Sequence, residues 1–166
     1  MGTAENLKAA FAGESQANRM YLAFAKKAEN DGFPQIARLF RAAAEAETVH
    51  AHSHFRAMGG VNSTAENLKT AIAGEAYEYN DMYPGFVATA ENEGNKAAYI
   101  SFKNAMAVEK VHFDLYSKAL ETLKAGDDLP AASIYVCPVC GHTVVGNLPD
   151  HCEVCGVSKE KFFEVK

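Results

Sequence analysis

The first half of the chain returns in the second. Thr3-Ala-Glu-Asn-Leu-Lys-Ala-Ala-Phe-Ala-Gly-Glu14 recurs as Thr64-Ala-Glu-Asn-Leu-Lys-Thr-Ala-Ile-Ala-Gly-Glu75, with ten of twelve positions identical at an offset of 61. Met20-Tyr21 recurs as Met82-Tyr83, Ala28-Glu29-Asn30 as Ala90-Glu91-Asn92, and Glu47-x-x-His50 as Glu109-x-x-His112, all at an offset of 62. A duplicated segment of this length constrains the fold strongly: each copy is one supersecondary unit, and neighbouring copies must pack to bury a common core. The change of offset places one extra residue between Glu75 and Met82. Because the helical pattern resumes on both sides, the insertion predicts a π-turn inside the third helix.

Apolar periodicity gives each copy two helices. The first spans roughly 3–30, with Leu7, Phe11, Tyr21, Ala25 and Ala28 on its stripe. The second spans roughly 34–58, with Ile36, Phe40 and Ala43. The third spans roughly 64–93, with Leu68, Ile72, Met82 and Phe86. The fourth spans roughly 96–124, with Phe102, Met106, Phe113, Tyr116 and Leu120. Thr3 and Thr64 are read as N-caps, each with a glutamate two residues on. Gly32, Gly59-Gly60, Gly94 and Gly126 punctuate the ends.

Acidic residues interrupt these stripes. The first reads Leu7, Phe11, Glu14, Asn18, Tyr21, Ala25, and the second continues through Glu47, His50 and His54. The third carries Glu75 with Glu78 one turn on, and the fourth carries Glu109 and His112 between Met106 and Tyr116. Any one of these alone reads as a solvated surface group. Five carboxylates and two imidazoles at one level, in register with the repeat, read as a metal site, because unpaired buried carboxylates are costly. Glu-x-x-His places both ligands on one helix face. One glutamate from each of two helices plus Glu-x-x-His from each of two others is the ligand set of carboxylate di-metal bundles. Carboxylate with imidazole suits iron or manganese, with zinc possible by affinity. His54 is assigned either a hydrogen-bonding role behind His50 or plain packing, and His52 is read as solvated.

After Gly126-Asp127-Asp128-Leu129-Pro130 the composition shifts to β-branched residues, Pro, Gly and all four cysteines. The expected division is therefore a helical domain over 1–125, a linker over 126–133 and a small module over 134–166. Cys137-Pro-Val-Cys140-Gly141 and Cys152-Glu-Val-Cys155-Gly156 form two knuckles offering four thiolates to one ion, iron or zinc. Tyr135, Val136, Phe162 and Phe163 are assigned to an apolar shell around it. Net charge is −5, which argues against nucleic acid or an anionic membrane as partner. No apolar run is long enough to span a bilayer. The first residues lack a basic stretch followed by an apolar one, so a cytoplasmic protein is expected.

With these residues in place the chain resembles the rubrerythrin family over nearly its whole length. Gly13-Glu14-Ser15, Glu47-x-x-His50, Gly74-Glu75-x-x-Glu78, Met82-Tyr83-Pro84, Glu109-x-x-His112 and the two Cys-x-x-Cys-Gly knuckles carry the resemblance. It implies a mainly α, ferritin-like four-helix bundle with a C-terminal rubredoxin-like β/loop module. It also implies three iron ions per chain, a di-iron pair and one ion on Cys137, Cys140, Cys152 and Cys155. It further implies a non-haem peroxidase that reduces hydrogen peroxide to water. Electrons would come from rubredoxin or an NAD(P)H-dependent reductase through the four-cysteine iron. By the same resemblance Glu47 and Glu109 bridge the irons, Glu14 and Glu75 are terminal, and His112 serves one iron. The other iron exchanges between Glu78 and His50, and Tyr21 and Tyr83 hydrogen-bond the ligand carboxylates. A ferritin-type ferroxidase, or a metal-binding protein with a structural zinc ribbon, are the alternatives.

The resemblance also raises a question of assembly. In a ferritin-like arrangement the second and third helices run parallel, and a second helix of this length rises roughly 35–40 Å at about 1.5 Å per residue. The connector Gly59–Ser63 spans at most about 18 Å when extended. The bundle is then either a simple up-down-up-down one or a domain-swapped homodimer hinged at Gly59-Gly60, which is the expectation preferred here.

Overall fold

The computed structural model describes residues 2–166. The chain is mainly α, with a small strand-and-loop module at its C-terminal end. It forms two compact units, one ending at Asn62 and the other running Ser63–Lys166.

The first unit is a helix hairpin of α1 (Thr3–Asn30) and α2 (Pro34–Ala57). Pro34 opens α2, where its missing N–H costs nothing. The turn between them closes on Gly32 at φ +83, with Phe33 N donating to Ala28 O at 2.9 Å and Gly32 N to Glu29 O at 3.1 Å. The contact seam is built from small residues: Ala25 and Ala28 on α1, and Ala37, Ala44 and Ala51 on α2, are all buried. On α2 this seam lies one residue beyond the expected Ile36, Phe40 and Ala43, because alanine lets two backbones approach closely. Phe40 stays part-buried against Tyr21 and Phe24 of α1, whereas Ile36 and Leu39 are 49% and 69% exposed. Asn18 is buried in the same seam. Its Nδ2 donates to Ala44 O at 2.7 Å and to Thr48 Oγ1 at 2.8 Å, so both of its amide N–H groups are engaged.

The second unit begins with α3 (Thr64–Tyr77), which passes through a π-turn over Glu78–Met82 into α4 (Tyr83–Asn92). This is the insertion that the change of offset predicted. Helix α5 (Lys96–Lys124) packs back along all three segments. The N-caps are corrected by one residue. Gly2 precedes α1, its N–H donating to the Glu5 carboxylate, and Ser63 caps α3 with its Oγ accepting from Glu66 N at 3.3 Å. Thr3 and Thr64 are the first helical residues instead.

Strands β1 (Ile134–Val136), β2 (Thr143–Val145) and β3 (Phe163–Val165) form an antiparallel sheet in the order β2-β1-β3. Tyr135, Val136 and Phe162 are part-buried, but Phe163 is exposed, so it does not belong to the expected apolar shell. The sheet seats on α5. Val108 is buried there, and a Cβ on Gly141 would lie 3.8 Å from its Cγ1. Among the described residues no helix is long and apolar enough to cross a membrane.

Candidate metal centres

Each helix hairpin assembles one carboxylate–imidazole trio. In the first unit Glu14, Glu47 and His50 offer ligand atoms within 4.8 Å of one another, and in the second Glu75, Glu109 and His112 do the same. The two Glu-x-x-His motifs close identically: His50 Nδ1 lies 2.8 Å from Glu47 Oε2, and His112 Nδ1 lies 2.9 Å from Glu109 Oε2. The i,i+3 spacing forces this, because both side chains lean over the same turn. Their surroundings differ. His50 is 55% exposed, whereas His112 is 27% exposed and has a second partner, Thr143 Oγ1, 3.0 Å from its Nε2.

The second trio is electrostatically loaded. Burial pushes the Glu75 carboxyl above its usual range, and the neighbouring charges of Glu109 and Glu78 push it further. Burial and then the Glu109 charge raise Glu78 in the same way. Glu78 lies on the π-turn, close enough to Glu109 and His112 to interact with both, but it is not part of the tight trio. Carboxylates that raise one another's pKa are what a divalent cation would relieve, so the donor set fits a metal. Burial, with the charges of Glu109, Glu78 and Glu75, also keeps the Tyr83 hydroxyl protonated. Tyr21 packs against Phe24 and Phe40, and Tyr83 against Phe86 and Phe102. Among the described residues neither hydroxyl hydrogen-bonds a carboxylate.

The four cysteines converge at the tips of the two knuckles. Cys137 Sγ lies 3.6 Å from Cys155 Sγ, and Cys140 Sγ lies 3.5 Å from Cys152 Sγ. These separations are far too long for a disulfide. They approach the edge of about 3.8 Å that a tetrahedron of four sulfurs would have around one metal at about 2.3 Å. Each knuckle turns on a glycine with positive φ, Gly141 at +85 and Gly156 at +76, letting Gly141 N donate to Cys137 O and Gly156 N to Cys152 O. Burial pushes the Cys140 thiol well above its ordinary range. Burial acts upward on Cys152 too, but hydrogen bonds from the Cys155 and Val154 backbone and from neighbouring sulfurs outweigh it and bring that thiol to about 7.

Two residues beside the first knuckle escaped the sequence reading. His142 is buried at 5% exposure, its Nδ1 has no hydrogen-bond partner among the described residues, and its Nε2 lies 3.8 Å from the Glu153 carboxylate. Thr143 reaches His112. The available signal was their place directly after Cys140-Gly141, where the chain enters β2 and side chains alternate between faces. His54 is part-buried and His52 exposed.

Comparison with known proteins agrees with this arrangement. The sequence model of the family described as rubrerythrin matches residues 5–120, and that of the rubrerythrin rubredoxin-like domain matches residues 135–163. Rubrerythrin-2 of Clostridium acetobutylicum is 37% identical, covering 96% of this chain and 95% of the relative. Nigerythrin of Nitratidesulfovibrio vulgaris is also 37% identical, covering 96% and 85%. A solved structure of nigerythrin in a mixed-valence state superposes with a TM-score of 0.59 at 36% identity, covering 99% of this chain and 87% of that one.

Proposed function

The chain belongs to the rubrerythrin family of peroxidase-like, di-iron oxidoreductases, and from that premise we propose that it reduces hydrogen peroxide to water with electrons relayed through its own four-cysteine iron. The observation that carries the proposal is the pairing in one chain of two Glu-x-x-His trios with a four-sulfur cluster. Family and donor sets together account for three iron ions per chain, a di-iron pair and one four-cysteine iron. The functional division proposed is peroxide chemistry on 1–125 and electron relay on 134–166, joined by 126–133.

Reduction consumes one peroxide, two electrons and two protons and yields two waters. When bound, the iron pair supplies the two electrons, one from each ion as Fe(II) becomes Fe(III). The chain's own groups set the rest. Glu47 and Glu109 would hold both ions, Glu14 and Glu75 would each hold one, His112 would serve one iron, and Glu78 and His50 would alternate as ligands of the other. Tyr83, held protonated beside Glu109, is assigned as a hydrogen-bond donor to the ligand carboxylates, and Tyr21 takes the matching role in the first copy. An NAD(P)H-dependent reductase or a rubredoxin is the proposed donor, and a reducing cytoplasm, with a role against oxidative stress, suits both.

Steady-state consumption of peroxide with a reductase, on protein of quantified iron content, tests this reading. A ferroxidase would take up iron without needing Glu78 or the cysteines, and a zinc-ribbon protein would be colourless and inactive. Glu78→Ala is expected to keep the helices and slow turnover by roughly 10–100-fold, the scale for a group that tunes a metal site. Unchanged turnover would remove Glu78 from the ligand set.

Family members are typically homodimers, and we propose a swapped one. The first hairpin alone leaves Phe24, Ile36, Leu39 and Val49 at 45–69% exposure, which a partner chain would cover. At the proposed hinge Gly59 has φ +69 and a Cβ on Gly60 would meet the Phe55 ring at 2.3 Å, so this corner is built for glycine. Coexpressing a Glu47→Ala chain with a Glu109→Ala chain tests it. Swapped heterodimers contain one intact site, so about a quarter of wild-type activity should return. No recovery in mixed dimers would mean each chain completes its own site.

A further inference from the structure

We infer that Thr143, on the cysteine module, is a positioning residue for the ligand His112, so that the module forms part of the di-iron site as well as its electron relay. The inference rests on the assignment of His112 as a metal ligand.

The two nitrogens of His112 face different groups. Nδ1 faces the carboxylates, 2.9 Å from Glu109 Oε2 and 3.8 Å from Glu75 Oε1. Nε2 faces the module, 3.0 Å from Thr143 Oγ1. A histidine can give Nδ1 to a metal only when its remaining proton sits on Nε2, and a stable hydrogen bond there fixes that tautomer and the ring's orientation. Thr143 is arranged to accept this proton. Its own hydroxyl can donate to Gly141 O at 3.3 Å, which leaves lone pairs for His112 Nε2–H.

The contact is enforced by packing on both sides. Gly141, two residues before Thr143, rests against buried Val108, one helical turn before His112. Thr143 itself starts β2, whose pairing of Val136 with Thr143 ties it to the strand leading into Cys137. The position of the hydroxyl therefore follows from the folded knuckle, and the knuckle folds around its metal. The first repeat provides the contrast. His50 makes the same Nδ1 contact with Glu47, but its Nε2 has no hydrogen bond among the described residues and its side chain is 55% exposed. Within one chain the same motif is thus held at both nitrogens in one copy and at one in the other, and the added partner of His112 comes from the cysteine module.

Full-length protein carrying Thr143→Val, Thr143→Ser or His112→Gln tests the inference by anaerobic titration with ferrous iron against a competing chelator. Thr143→Val removes the acceptor and is expected to weaken the di-iron site about 10–100-fold, with the visible absorption of the four-cysteine iron unchanged. Thr143→Ser is expected to bind within a few-fold of wild type. In zinc-loaded, ¹⁵N-labelled wild type, the His112 nitrogen shifts should show Nε2 protonated and Nδ1 metal-bound. Wild-type affinity in Thr143→Val, or a bare Nε2, would overturn the positioning role while leaving His112 a ligand. Wild-type affinity in His112→Gln would overturn the ligand assignment and the inference with it.

Discussion

Cys140→Ser is expected to abolish peroxide turnover supported by any external donor, a loss of at least about 100-fold. The same variant, reduced chemically, should still consume peroxide in a single turnover at a near wild-type rate per bound iron pair. The split follows from the proposed division of labour between the two centres. Cys140 is one of four sulfurs gathered around one point, 3.5 Å from Cys152. A serine oxygen is a poor replacement for a soft thiolate at an iron–sulfur position. The carboxylate trios contain no cysteine, so their proposed chemistry with peroxide should survive. Donor-linked turnover and stopped-flow single turnover separate the two steps. Full steady-state activity in Cys140→Ser would mean that electrons enter without the module.

Glu47→Ala carries the second large effect. Glu47 reaches His50 Nδ1 at 2.8 Å and is mostly buried, at 19% exposure. In its proposed bridging role, its removal would open that position and strand the other carboxylates around a weakly held ion, which is the costly way to break a buried charge network. Bound iron should fall from three per chain to about one, the four-cysteine iron, with peroxide turnover lost. Helix content should not change, because the α1–α2 seam is secured by Asn18, Ala44 and Thr48 instead. Iron analysis alongside circular dichroism checks both halves, and retention of three irons would remove Glu47 from the site.

Local chemistry made most of the helical architecture legible in advance. The helix limits followed from periodicity and from glycines that adopt positive φ at Gly32, Gly59, Gly94 and Gly126. The closing of each Glu-x-x-His pair followed from its spacing, because i,i+3 geometry is a property of any helix, whereas Glu14 and Glu75 join them only through hairpin packing. The π-turn at Glu78–Met82 was visible as a one-residue change in the repeat offset, since a helix can absorb one residue only by widening a turn. The cysteine cluster followed from knuckle spacing, which is also local.

Where the reading failed or fell silent, the deciding contact was long-range. The α2 seam moved to Ala37, Ala44 and Ala51 because burial there is set by how closely α1 approaches, and periodicity alone cannot rank alanine above Ile36. Phe163 looked like core by hydrophobicity, but the three-stranded sheet leaves it on an edge strand, 52% exposed. The hydroxyl of Thr143 meets His112 across 31 residues of sequence. Its place after Cys140-Gly141 marked Thr143 as near the knuckle, but only the docking of β2 on α5 brings it to His112. The amino-acid sequence thus determined the helices, the ligand types and the groups that fall together on one turn. The tertiary structure alone decided which faces are buried and which histidine is held at both nitrogens, because both depend on contacts between segments that the chain order does not bring together.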